Sequence, residues 1–353
     1  MQKYLFLLPL LLACGRPLQN TSLPENKAQP PTPTVAYVDP LKDLKLEAQL
    51  MTVIRRVFQD QSGNIWFIGD DAVCWDGDRL IDFSANPLLA KSVFRQVAED
   101  QTGVLWFGTN DGIVRYDPKV SDPNDAFTRF QSDNLPDPMD VWSLTIDRNG
   151  MIWVGSLDGA FQFDGKAFIK FDLPPSEPDP SRGVTSAEIV HSIMEDRKGQ
   201  MWFATNGGVY VYNGQGLTHL SEENGLCNNV VNDLLEDQNG DIWFASHHNG
   251  VCRWDGSAFT TFGEAEGIRG KEAWSLYEDQ KGNIWFPIEH DGVYRYDGRT
   301  FTNFGKADGL KMNNVHSILE DDDSQIWMGG FGGVNRLDVE SCENMPKDLF
   351  KEN

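Results

Sequence analysis

The sequence predicts an all-β fold: a seven-bladed β-propeller with four antiparallel strands per blade, the last blade closed by an N-terminal strand. Three observations predict it. Trp66, Trp106, Trp153, Trp202, Trp243, Trp285 and Trp327 recur at steps of 40, 47, 49, 41, 42 and 42 residues, the period of a propeller blade. An Asp-x-x-Gly hairpin signal precedes the tryptophan in six of the seven units. The interval from one unit's last apolar run to the next unit's first is constant at eleven residues from Phe83 to Phe94, Phe130 to Val141, Leu220 to Val231, Phe262 to Ala273 and Phe304 to Val315.

The sixth unit shows why each repeat is a sheet. Trp274–Tyr277 is a short β-prone run, Asp279 and Gly282 make the hairpin, and Ile284–Phe286 returns. Val293–Tyr296 follows, then the turn pair Asp297-Gly298, then Phe301–Phe304. Apolar residues at both parities mean that both faces pack on neighbouring blades, with each repeat tryptophan filling the space between two sheets. The last unit has Ser324 where the others have glycine, so a looser hairpin is expected there.

Taken from its start, the chain opens on Lys3, an apolar run over 4–12 and Leu11-Leu12-Ala13-Cys14. The run is too short to span a bilayer. It resembles the bacterial lipoprotein signal, in which the cysteine is lipidated. That resemblance implies residues 1–14 as signal peptide, Cys14 as lipid anchor and, since Gly15 rather than Asp follows, the outer rather than the inner membrane. Residues 15–34, rich in Pro, Asn, Gln and Thr, read as a tether. The propeller is assigned to 35–345 and a tail to 346–353. Blade seven has no fourth run of its own, and counting eleven back from Ile54 lands within Leu41–Leu44. A strand within 35–46 therefore closes the ring, with Val35–Val38 as the other candidate. Two insertions break the rhythm, Lys119–Asp125 and Pro174–Ala187; the second is expected to overhang the central pocket.

A net charge of −23 argues against nucleic acid and anionic lipid surfaces as partners. The glutamate preceding the hairpin aspartate in five units reads as a solvated turn carboxylate. Cys74 and Cys252 occupy the same repeat position in blades four apart and cannot pair. Cys74, Cys227, Cys252 and Cys342 are expected as buried free thiols, with no zinc-type spacing among them.

Shared residues are explained by the blade, so function is sought where the repeats disagree. Five residues before each hairpin aspartate stand Arg55, Arg95, Trp142, His191, Asn232, Trp274 and His316, one per blade near the start of the innermost strand. Such a ring suits stacking on a sugar and bonding its hydroxyls or a carboxylate. A second set, His247, His248, Glu289 and His290, lies in the turns between second and third runs of blades five and six. No cofactor is expected, although this set could hold a divalent metal, or supply acid and base through His248, Glu289 and His290. No nucleophile elbow, His-Glu-x-x-His or phosphate loop is present.

The repeat itself, best seen over 100–117 and 279–297, resembles the two-component regulator propeller repeat, over residues 54–338. That resemblance implies an extracytoplasmic sensor, many relatives responding to glycans. With no kinase core or receiver in this sequence, any link to a phosphorelay is indirect. The expectation is a monomeric, membrane-anchored ligand-binding propeller. The alternatives are a metal-dependent lyase or hydrolase, in loose resemblance to streptogramin lyase, and a protein-binding platform in an envelope complex.

Overall fold

The computed structural model describes residues 37–38 and 53–338, apart from 123–124, 131–135, 137, 164, 309 and 313. The local logic of each blade centres on its hairpin aspartate. In blade six, Asp279 Oδ1 accepts the backbone N–H groups of Lys281 and Asn283 at 3.0 and 2.8 Å. Its Oδ2 accepts the indole N–H of Trp285 at 2.7 Å. All seven aspartates hold their tryptophan this way, at 2.6–3.1 Å. The indoles are only 0–7 % exposed, so this bond satisfies the one polar group that burying a tryptophan would otherwise strand. The Asp-x-x-Gly turn and the tryptophan are thus one device. Ser324 takes glycine's left-handed conformation at φ 60°, and its N–H bonds Asp321 O at 2.9 Å, as Gly63 does to Asp60. The last hairpin is therefore not looser than the rest. An L-residue at that φ costs on the order of 1–2 kcal/mol, which the surrounding turn absorbs.

Seven four-stranded antiparallel sheets result. Six run in chain order; the seventh takes Tyr37–Val38 as its outer strand, with Tyr37 opposite Leu337 and Val38 opposite Arg336. The closing strand is thus the earlier of the two candidates, and Leu41–Leu44 lies outside the described residues, as do Cys14, the tether, the tail and Cys342. Each tryptophan packs into the following blade: Trp66 against Phe94 and Phe107, Trp285 against Val315 and Ile318. Trp327 packs against Ile54 and Phe67, which joins blade seven to blade one.

The glutamates before the hairpin aspartates are not idle on the surface. Each accepts a backbone N–H from the preceding blade's hairpin: Gln61 to Glu99, Arg148 to Glu195, Arg197 to Glu236, Gln238 to Glu278 and Gln280 to Glu320, at 2.6–2.9 Å. Burial raises the pKa of Glu99, Glu278 and Glu320. Gln59 plays the part at ring closure, accepting from Asp322 N–H at 3.1 Å. Blade three has Ile146 at this position, which offers no acceptor.

Two further expectations are corrected. Cys227 and Cys252 form a disulfide, their Cα atoms 6.0 Å apart. Cys227 lies in the connection leading into blade five, where the repeat predicts no position, so spacing alone did not reveal the pair. Cys74 remains free and buried, its thiol pKa pushed up by burial. In blade six the innermost strand is regular only over Tyr277–Glu278, with an isolated bridge from Ala273 to Ile288. Pro287 stands where other blades have Gly108, Gly155, Ala204 or Ala245; lacking an N–H, it cannot complete the ladder.

Candidate functional site

The innermost strands explain how the variable ring is presented. In six blades the pairing of first with second strand slips by one residue, between Ile54 and Arg56, Phe94 and Gln96, Val141 and Ser143, Val190 and Ser192, Val231 and Asp233, and Val315 and Ser317. The residue skipped each time is the ring residue: Arg55, Arg95, Trp142, His191, Asn232 and His316. It is the extra residue of a β-bulge, which frees its side chain from the alternation of the strand. Trp274 sits in the unpaired stretch of blade six. All seven line a single pocket of about 320 Å³, together with Arg182 of the 174–187 insertion, Glu289 and Phe331.

Within the pocket some ring residues are committed and others are open. Arg95 pairs with both oxygens of Asp140, at 2.8 and 3.0 Å, and lies 4.4 Å over the Trp142 ring. Asn232 is spent on structure: it donates to Ala273 O and accepts from Arg182, at 2.7 and 2.6 Å. Arg182 also stands 5.7 Å over the Trp274 ring, so the insertion does reach the pocket. His191 bonds Asn206 Oδ1 at 2.7 Å, and Asn206 donates to Thr185 of the insertion at 2.7 Å. Arg55 Nε, Trp142 Nε1, His191 Nδ1, Trp274 Nε1 and His316 Nε2 are buried without a hydrogen-bond partner.

The second set does not assemble as the sequence suggested. His247 Nδ1 is 2.6 Å from Glu272 Oε1, and His248 Nε2 is 3.0 Å from Asp179 Oδ2 on the insertion. His290 is largely exposed at φ 63°, 3.7 Å from Glu289. Among the described residues, the donor atoms close enough to share a metal belong to Asp179, His247 and His248; Glu289 and His290 stand outside that group. The neighbouring Glu272 carboxylate and then burial raise the pKa of Glu289. Burial opposes it, but bonds from His247 and Glu289 hold Glu272 low. Asp179, Arg182, Asn206 and Glu272 were not singled out in the sequence; the length of the insertion was the only signal of the first two.

A larger cavity of about 920 Å³ opens at the hairpin end of the channel, meeting the pocket at Arg56, Gln96 and Asp233. Most of its carboxylates are occupied by architecture: Asp60 holds Trp66, Glu99 and Glu195 hold neighbouring hairpins, and Asp233 takes the Ser192 hydroxyl and the Leu276 N–H. The smaller pocket is therefore the better site.

Burial, then the Arg182 charge, holds His191 down at about 3, while burial and Arg55 hold His316 at about 4. Both imidazoles are neutral at pH 7. Because the unfolded chain binds these protons first, near 6.5, their contribution is complete above about pH 6.5 and is lost as pH falls toward about 4 for His316 and about 3 for His191. Thermal midpoints should drop across that window, and His316→Gln should flatten the drop. A parent midpoint that stays level over the window would contradict the assignment.

The sequence pattern of the two component regulator propeller family matches residues 183–207, 225–248 and 309–332. Blades four, five and seven carry that repeat. No curated protein sequence gives a significant match. Among solved structures, the chain is similar to an extracellular domain described as that of hybrid two component system BT3049 from B. thetaiotaomicron. The TM-score is 0.70 at 23% identity, over 85% of this chain and 41% of that one. The corresponding domain of BT4673 from B. thetaiotaomicron gives 0.66 at 19%, over 82% and 38%. Virginiamycin B lyase from Staphylococcus aureus gives 0.65 at 14%, over 81% and 94%. At these identities the likeness establishes the propeller fold alone. The chain spans about two fifths of the length of the first two proteins.

Proposed function

We propose that this chain is an extracytoplasmic ligand-binding propeller with a sensory role, and that its pocket takes a small polyhydroxylated ligand of the sugar class. The observation that carries this reading is the set of unpartnered polar atoms around the pocket. The indole N–H groups of Trp142 and Trp274 and the Nε–H of Arg55 only donate. His191 Nδ1 only accepts, because Asn206 Oδ1 takes the proton on Nε2. A hydroxyl does both, so a polyol meets a mixed rim that an apolar or purely anionic ligand would leave half unmet. Arg55 and Arg182 add charge for a carboxylate on such a ligand. The volume of about 320 Å³ is at the low end of the roughly 300–1,000 Å³ of small-molecule sites, which suits one or two sugar rings.

The sensory and extracytoplasmic parts draw support from the repeat and from BT3049 and BT4673, described as extracellular domains of hybrid two component systems. The Cys227–Cys252 disulfide suits an oxidising compartment. Anchoring to the outer membrane by a lipid on Cys14 belongs to the same reading, and fractionation of a Cys14→Ser chain checks it: release from membranes is expected, retention counts against it.

The pocket is tested by calorimetry against mono- and oligosaccharides with and without uronic acids. Trp142→Ala and Trp274→Ala should each weaken the ligand found by about 1–3 kcal/mol, roughly 5- to 150-fold. Melting should barely change, since neither indole is part of the repeat core. Variants that unfold the domain, or that leave affinity unaltered, would make the ring packing rather than recognition.

A further inference from the structure

The insertion 174–187 carries Arg182 into the pocket, and one of its attachments lies a step outward, where Asp179 meets the blade-five turn at His247-His248. Asp179 is fixed in aim: Oδ1 accepts the N–H and hydroxyl of Ser181, at 2.9 and 2.7 Å, leaving Oδ2 toward His248. Behind His247, Glu272 Oε1 lies 2.6 Å from Nδ1, close but out of line for a hydrogen bond, so the carboxylate backs this ring nitrogen by charge and leaves Nε2 to face a ligand. A carboxylate behind an imidazole is the outer-shell arrangement that orients metal-ligating histidines. The two imidazoles lie 4.6 Å apart at their centroids, and one donor atom from each of Asp179, His247 and His248 falls within 4.8 Å of the others. Donors around a tetrahedral zinc ion at about 2.0–2.1 Å stand roughly 3.3 Å apart, so a small inward movement closes the site.

We propose that Asp179, His247 and His248 form a divalent transition-metal site that fastens the insertion to blade five. Two nitrogens and one oxygen select zinc-like ions over calcium or magnesium, which prefer all-oxygen shells. The ion replaces the proton of the Asp179–His248 hydrogen bond, which passes to solvent water, and water completes the metal's shell. Its role is positional. By holding residues 174–187 down, it keeps Arg182 over Trp274 and against Asn232, so metal and pocket ligand favour each other's binding. The site stands independently of what the pocket takes.

The test uses the full chain and Zn²⁺ alone. Isothermal titration should give one site per chain, Co²⁺ should give visible d–d absorption, and Ca²⁺ or Mg²⁺ at equal concentration should give neither. Outer-shell changes at metal sites cost about 10–100-fold in affinity, so loss of a ligand in Asp179→Asn or His248→Ala should cost more than about 100-fold. His248 is half-exposed, so its removal leaves the fold intact. Zinc should slow tryptic cleavage after Arg182 in the parent and not in His248→Ala. Trp142→Ala should bind zinc as the parent does, which separates this site from the pocket. Equal zinc binding by parent, Asp179→Asn and His248→Ala, no binding by the parent, or an equal response to calcium would each overturn the proposal.

Discussion

Trp285→Ala is expected to cost about 3–5 kcal/mol of stability, the range for removing a large aromatic from a packed core. Trp285 is fully buried and fills the gap between blades six and seven, packed with Val315, Ile318 and Met328. Its loss leaves a cavity at a blade junction and strands Asp279 Oδ2 without its indole donor. Asp279→Ala should cost a comparable amount by another route. The indole N–H and the N–H groups of Lys281 and Asn283 lose their acceptor together, at about 1–3 kcal/mol for each donor left buried. Because both changes break the same bond, the double variant should lose less than the sum. Denaturant unfolding measures all three. A loss below about 1 kcal/mol for either single change would mean that the aspartate–indole pair does not hold the blade.

Removing residues through 50 is expected to open the ring. Blade seven then ends at Gly333–Asp338, whose outer edge pairs with Tyr37–Val38 in the intact chain. The lost ladder bonds alone are worth about 2 kcal/mol. The exposed edge is also a template for pairing with other chains, so oligomers or precipitate should appear. Removing residues only through 34 leaves the strand and should leave a monomer. Size-exclusion chromatography and melting of the two truncations decide it. Equal behaviour would show that Tyr37–Val38 does not close the ring.

What was legible in the sequence is what recurs. The tryptophan period and the Asp-x-x-Gly turns gave blade number and strand order because each repeat must solve the same local problem. The glutamate before the aspartate recurs too, yet in one dimension an acceptor aimed at the preceding blade's backbone looks like any turn carboxylate. The ring was legible because its members differ while their position does not. What escaped came from segments outside the repeat. Asp179 and Arg182 sit on an insertion whose path no period predicts, and Cys227 sits in a connection, so its partner Cys252 seemed to have none. His290 was grouped with His247 and His248 by closeness of blades, but its backbone at φ 63° belongs to a turn that leaves the side chain in solvent.

The bulge that opens each regular inner strand bears on how such a protein changes over generations. A residue skipped by the ladder has no strand partner to satisfy, so substitutions at Arg55 or His316 need not disturb the sheet behind them. Shape is carried by one set of positions and the chemistry of the pocket rim by another. A duplicated gene can then explore new rim chemistries one residue at a time while remaining foldable throughout, which makes this scaffold variable at its pocket rim and conservative in its blades.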